Sequence, residues 1–133
     1  MGATGLRVLI VDDNRGDAQL EKLALAEQGF ECTITTADSG EHALELLRGA
    51  DAGSIDVVLL DGNLNGISGL ETLQAMKADE KLKSIPIVIV SGSSYAKEHA
   101  RFFECGAEAV IEKCNDFDSM TTELSVLKRY ARN

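Results

Sequence analysis

Four short apolar runs in this 133-residue chain lead into side chains that could do chemistry together. Asp12 and Asp13 follow the run ending at Val11, Asp61 follows Ile55 to Leu60, Ser91 follows Ile85 to Val90, and Lys113 stands just past Ala109 to Ile111. Three carboxylates brought to one place repel one another unless they are protonated or share a cation. An all-oxygen site with room for water suits magnesium better than zinc. Lys113 would add a positive charge and Ser91 a hydroxyl. A single Asp after a strand is most simply a turn or helix-cap residue. The pair Asp12-Asp13 together with Asp61 and Lys113 asks for more than that, provided the chain carries these positions to adjacent places.

A parallel sheet would do so. Leu6 to Val11 is almost wholly apolar, as in a strand covered on both faces. Residues 14 to 28 follow with Ala18, Leu20, Leu23 and Ala24 at largely helical spacing, and Gly29 is placed to end that helix in a left-handed conformation. The unit then recurs. Cys32 to Ala37 is a β-branched run, Ser39 can cap a helix carrying Ala43, Leu44 and Leu47, and Ile55 to Leu60 reads as another buried strand. Ser68 to Glu71 is a capping-box pattern opening a helix to about Asp79. Pro86 sits at the start of the strand Ile85 to Val90, where proline is tolerated. Residues 94 to 104 form a helix, Ala109 to Ile111 a fifth strand, and Met120, Leu124 and Leu127 the buried stripe of a last helix. Five strands alternating with five helices imply an α/β, three-layer (βα)5 fold with a five-stranded parallel sheet, its compact strand order being 2-1-3-4-5. Ligands then bind beyond the carboxyl ends of the strands where the order reverses, between the first and third.

Length and composition bound the function. About 150 residues make a typical domain, so residues 1–133 are expected to be one domain with no output domain attached. With 13 basic and 22 acidic residues the net charge is −9, which repels nucleic acid and anionic membranes. The chain lacks an apolar stretch of membrane-spanning length or a secretory core. Leu6 stands where a myristoylation signal beginning at Gly2 wants Ser or Thr. Cys32, Cys105 and Cys114 form no CxxC pair, which argues against a disulfide framework or zinc and for a reducing cytoplasm.

Taken together, VLIVDDN, VVLLDGNLNGISGLE and IPIVIVSGS, with Lys113 after the fifth strand, resemble the receiver domains of two-component response regulators over nearly the whole chain. DNRGDAQL and KADEKLKSIP are more particularly similar to the small stand-alone regulators associated with bacterial phytochrome kinases. The resemblance implies a flavodoxin-like fold and a phosphorylation switch. Asp61 would take a phosphoryl group from the phosphohistidine of a sensor histidine kinase or phosphotransfer protein. Asp13, Asp61 and the Asn63 backbone carbonyl would hold magnesium, with Asp12 acting through a water. Lys113 and Ser91 would contact the phosphoryl group, Gly92 would leave it room, and Ser93 with Asn63 would tune its loss. Such a domain catalyses its own phosphorylation and dephosphorylation, signals to a downstream protein target, and can form a homodimer through the fourth helix, fifth strand and fifth helix.

Some positions depart from the family pattern. Val110 stands where an aromatic side chain usually swings inward on activation, so signalling is expected to use Ser91 and the loop after it, or another face. Cys114 replaces the usual proline after the lysine; a non-proline cis bond costs about 2.5–4 kcal/mol, so a trans peptide is expected. Asn65 replaces a common proline, and Ser68 a common aspartate. Cys114, beside Lys113, could have a lowered pKa and be oxidisable; Cys32 and Cys105 read as packing residues. His42 and His99 are expected at the surface. Lys128, Arg129 and Arg132 suit the last helix dipole. The alternative reading is a receiver-like scaffold working without phosphorylation. A haloacid dehalogenase phosphohydrolase would want an Asp where Asn63 stands. A flavodoxin-type flavin site would be repelled by Asp12, Asp13 and Asp17.

Overall fold

In a computed structural model, which describes residues 5–29, 31–49, 55–64, 66–92 and 96–131, strands and helices alternate throughout. The order is β1 (Gly5–Val11), α1 (Arg15–Ala26), β2 (Glu31–Ala37), α2 (Gly40–Gly49), β3 (Val57–Asp61), α3 (Gly69–Ala78), β4 (Ile87–Ser91), α4 (Ala96–Glu104), β5 (Ala109–Glu112) and α5 (Phe117–Leu124), followed by a 3-10 helix (Ser125–Tyr130). All four strand pairings are parallel, in the order β2-β1-β3-β4-β5, which makes the flavodoxin-like fold expected from the sequence.

The period-2 alternation of side chains divides the core between the two faces of the sheet. Leu9, Val11, Val58, Leu60, Ile87 and Ile89 meet α2, α3 and α4 through Ala43, Leu44, Leu47, Leu73, Met76 and Phe102. Their neighbours Val8, Ile10, Val57, Leu59, Val88 and Val90 meet α1 and α5 through Ala24, Leu25, Met120 and Leu124. β3 and β4 are buried at every position, which is why they read as unbroken apolar runs.

Several boundaries differ from the sequence reading. β3 begins at Val57 because the Asp56 carboxylate is engaged by Arg7, accepting from its backbone N–H at 2.8 Å and from its guanidinium at 3.1 Å. Pro86 lies just ahead of β4, its carbonyl accepting from Val58 N–H at 2.9 Å. Leu127 falls in the 3-10 helix yet is still buried. On α1 the buried face is Glu21, Ala24 and Leu25, while Leu23 is 50% exposed. The face follows the i, i+3, i+7 spacing of Ala18, Glu21 and Leu25, so a carboxyl group replaces leucine inside. Gly29 has the expected positive φ, 88°. Residues 94 and 95 of the expected fourth helix, Asn65, Ser93 and Arg132 lie outside the described residues.

Candidate functional site

Strand register sets the positions of the site residues. Val11 is paired with Leu60, so Asp12 and Asp61 leave the sheet side by side. Backbone bonds hold each exit: Asp12 N–H donates to Ala37 O at 3.0 Å, Gly62 N–H to Val90 O at 3.0 Å and Lys113 N–H to Ser91 O at 2.7 Å. Carboxylate oxygens of Asp12, Asp13 and Asp61 come within 4.8 Å of one another. Lys113 Nζ sits among them, 3.0 Å from Asp61 Oδ2 and 3.4 Å from Asp12 Oδ2.

The local turns keep the carboxylates in place. Asp12 Oδ1 accepts from Asn14 N–H at 2.9 Å and Asp61 Oδ1 from Asn63 N–H at 3.0 Å, so each aspartate uses one oxygen to close its own turn and turns the other toward the ammonium. α3 starts behind Asp61 with the expected capping box, Ser68 and Glu71 each accepting from the other's backbone N–H. A Cβ on Gly69 would collide with the Asp61 carbonyl and lie 2.7 Å from Gly62 Cα. Glycine at that position is therefore what lets α3 approach the site.

The electrostatics are unbalanced. Asp12 and Asp61 are only 6% and 4% exposed. Asp12 Oδ2 is buried with no hydrogen-bond partner; the ammonium 3.4 Å away attracts it without hydrogen-bonding geometry. Burial pushes the Asp12 carboxyl up to about 6, opposed by the Asn14 N–H and reinforced by the charge of Asp61. Lys113 responds oppositely: burial alone would lower its pKa, but hydrogen bonds to Asp17 and Asp61 and the charges of Asp61 and Asp12 outweigh it and raise the value. The ammonium therefore stays charged, and an orphaned oxygen in an all-carboxylate cluster leaves a place suited to a hard divalent cation.

Of the residues expected at the site, Asp12, Asp13, Asp61 and Lys113 come together, and Asn63 supports Asp61 through its N–H. Ser91 is the buried last residue of β4, beside the backbone of Lys113. A Cβ added to Gly92 would meet nothing within 4 Å. Asp17, read from the sequence only as a charge that would repel a flavin phosphate, contacts the lysine as well; its carboxylate lies 2.9 Å from Lys113 Nζ. The available signal was an aspartate three residues after the helix-opening Asn14, on the first turn above the switch point. Glu21, one turn further along, is 2% exposed and its carboxyl is pushed up to about 8 by burial and then by the charge of Asp12.

The peptide after Lys113 is trans, since the described residues contain no cis bond. The Cys114 thiol is shifted upward, first by burial and then by Glu123, Asp116 and Glu112. Proximity to Lys113 therefore does not lower it: burial, reinforced by the acidic neighbours, disfavours the thiolate. Val110 lines a cleft of about 650 Å³ with His99, Glu112, Cys114, Ser119 and Glu123, which opens on α4, β5 and α5, away from the carboxylates. His99 is half-buried in that wall, and His42 is likewise half-buried, its ring beside the exposed Asp38.

An open (βα)5 sheet that gathers acids from β1 and β3 opposite a lysine from β5 has the architecture of a receiver. The response regulator receiver domain model matches residues 8–125, and the chain belongs to that family. It is 31% identical over 108 residues to the chemotaxis protein CheY of Pseudomonas aeruginosa, covering 81% of this chain and 84% of that protein. It is 36% identical over 106 residues to the polar-differentiation response regulator DivK of Brucella ovis, covering 80% of this chain and 82% of that one. Among solved structures, the phosphorylated cyanobacterial phytochrome response regulator RcpA superposes with a TM-score of 0.84 at 27% identity, over 95% of this chain and 93% of RcpA.

Proposed function

We propose that the chain is a phosphoacceptor response regulator in which Asp61 takes the phosphoryl group of a phosphohistidine on a sensor histidine kinase or phosphotransfer protein. The observation that carries this reading is the Asp61 carboxylate, 3.0 Å from Lys113 Nζ and grouped with Asp12 and Asp13. An ionised carboxylate needs no proton removed to act as nucleophile, so catalysis is positioning and charge neutralisation. An Asp61 oxygen forms the new O–P bond while the P–N bond breaks and its electron pair returns to the imidazole. Lys113 neutralises a phosphoryl oxygen as charge gathers there. Ser91 donates its hydroxyl to another, and Gly92 leaves the space open. The donor set fits magnesium, held by Asp13, Asp61 and the Asn63 carbonyl, with Asp12 acting through water; bound there, the ion would supply further neutralisation of phosphoryl charge.

RcpA supports a phytochrome-type sensor as the phosphodonor. Free Cys32, Cys105 and Cys114 support a reducing cytoplasm, and none of the described helices is long and apolar enough to cross a membrane. The phosphorylated form is read by a protein target at the face of α4, β5 and α5, the same face a homodimer would use. Acetyl phosphate with magnesium, followed by intact mass measurement, tests the reading: the protein should gain one labile phosphoryl group, and Asp61→Asn or chelation of the metal should prevent it. No addition to the wild-type chain would favour a receiver-shaped scaffold working without phosphorylation.

A further inference from the structure

Lys113 has a partner that does not come from a strand end. Asp17 Oδ2 is 2.9 Å from its ammonium, against 3.0 Å for Asp61 and 3.4 Å for Asp12. Asp17 belongs to the first turn of α1, where its N–H donates to the N-cap Asn14 Oδ1 at 3.0 Å. Asn14 N–H donates in turn to Asp12 Oδ1 at 2.9 Å. The start of α1 is thus tied to the site twice, through the cap to Asp12 and through a side chain to Lys113.

We propose that Asp17 is a positioning residue: it holds Lys113 while Asp61 is unmodified and yields it when a phosphoryl group occupies Asp61, so that the first turn of α1 senses the state of the site. The proposal rests on the phosphoacceptor reading above. An ammonium has three N–H donors and no acceptor, and here it is surrounded by three carboxylates. Its hydrogen bonds go to Asp17 and Asp61; a phosphoryl group on Asp61 takes over the second of these with stronger acceptor oxygens and added negative charge, drawing the ammonium away from Asp17. Asp12 and Asp61 are fixed by register and turn bonds, and their side chains are 1% and 4% exposed; that of Asp17 is 30% exposed. Bulk water reaches the Asp17 carboxylate and can take the ammonium's place there, which makes Asp17 the contact most easily given up. Its charge also opposes an arriving phosphoryl anion. Both effects slow formation of the phosphoprotein. This route to the surface needs no aromatic side chain at Val110.

The test follows phosphorylation of the full chain by acetyl phosphate, whose P–O bond breaks as acetate leaves and the Asp61 O–P bond forms. Rates are read by intact mass at saturating magnesium, so that altered metal affinity does not enter. Asp17→Asn should raise the maximal rate about two- to fivefold, the scale of a partly exposed ion pair. A role confined to helix structure would leave that rate unchanged or lower it. In wild-type protein the Asp17 side-chain carboxyl carbon resonance should move when the phosphoryl mimic beryllofluoride is added. An unaltered or slower rate in Asp17→Asn, or a stationary Asp17 resonance in beryllofluoride-bound wild type, overturns the inference and leaves the phosphoacceptor reading intact. Failure of the wild-type chain to accept a phosphoryl group removes both.

Discussion

Replacing Glu21 by Gln should stabilise the protein, and by more as the pH rises. The carboxyl is 2% exposed on the inner face of α1, and burial followed by the charge of Asp12 moves it from its ordinary 4.5 to about 8. Below pH 4.5 the folded and unfolded chains both hold the proton, and the group adds no pH-dependent cost. Between the two values the unfolded chain releases it while the folded chain retains it, so wild-type stability falls with rising pH; above about 8 the loss is complete. Linkage puts this contribution at about 1 kcal/mol against folding at pH 5, about 3 kcal/mol at pH 7 and about 4 kcal/mol at pH 8. Gln preserves the volume and does not titrate. Urea unfolding of both proteins, followed by far-ultraviolet circular dichroism because the chain has no tryptophan, should show a gap in favour of Glu21→Gln that widens by about 3 kcal/mol from pH 5 to pH 8. Parallel curves, or a variant less stable at both pH values, would refute a carboxyl kept protonated by burial.

Three further perturbations probe the site. Because Asp12 is raised to about 6 by burial and must ionise to help hold a cation, magnesium affinity measured by calorimetry should tighten about tenfold between pH 5 and 7.5; a pH-independent affinity would count against the shared site. Lys113→Met removes the cation from between Asp12, Asp17 and Asp61, so urea unfolding at pH 7 should show a loss of about 3 kcal/mol that shrinks toward pH 4 as Asp12, raised to about 6 by burial, protonates. Gly69→Ala drives a methyl group into the Asp61 carbonyl; thermal unfolding should register a cost of about 1–3 kcal/mol, accompanied by slower phosphorylation.

Much of the site was legible because a parallel sheet converts distance along the chain into adjacency: each strand end is one apolar run followed by one polar residue, and the topology carries Asp12, Asp61, Ser91 and Lys113 to one edge. Asp17 was harder to see because its role depends on the angle at which α1 leaves Asn14, which spacing does not specify. Glu21 was hidden by its type. A charged residue among Ala18, Ala24 and Leu25 suggests a solvent face, and only packing against the sheet shows which side of α1 turns inward. Gly69 stands for a third kind of information, since the closeness of α3 to the Asp61 carbonyl belongs to three-dimensional packing. The upward shift of Cys114 likewise comes from burial first and then from Glu123, nine residues away along the chain and brought close by the fold.

The central claim concerns one side chain, and chemical trapping tests it directly. Protein treated with acetyl phosphate and magnesium, then reduced with borohydride, should yield a peptide in which residue 61 has become homoserine, the reduction product of an aspartyl phosphate. Homoserine at another aspartate, or none in protein that is folded and saturated with magnesium, would contradict the assignment of Asp61 as phosphoacceptor.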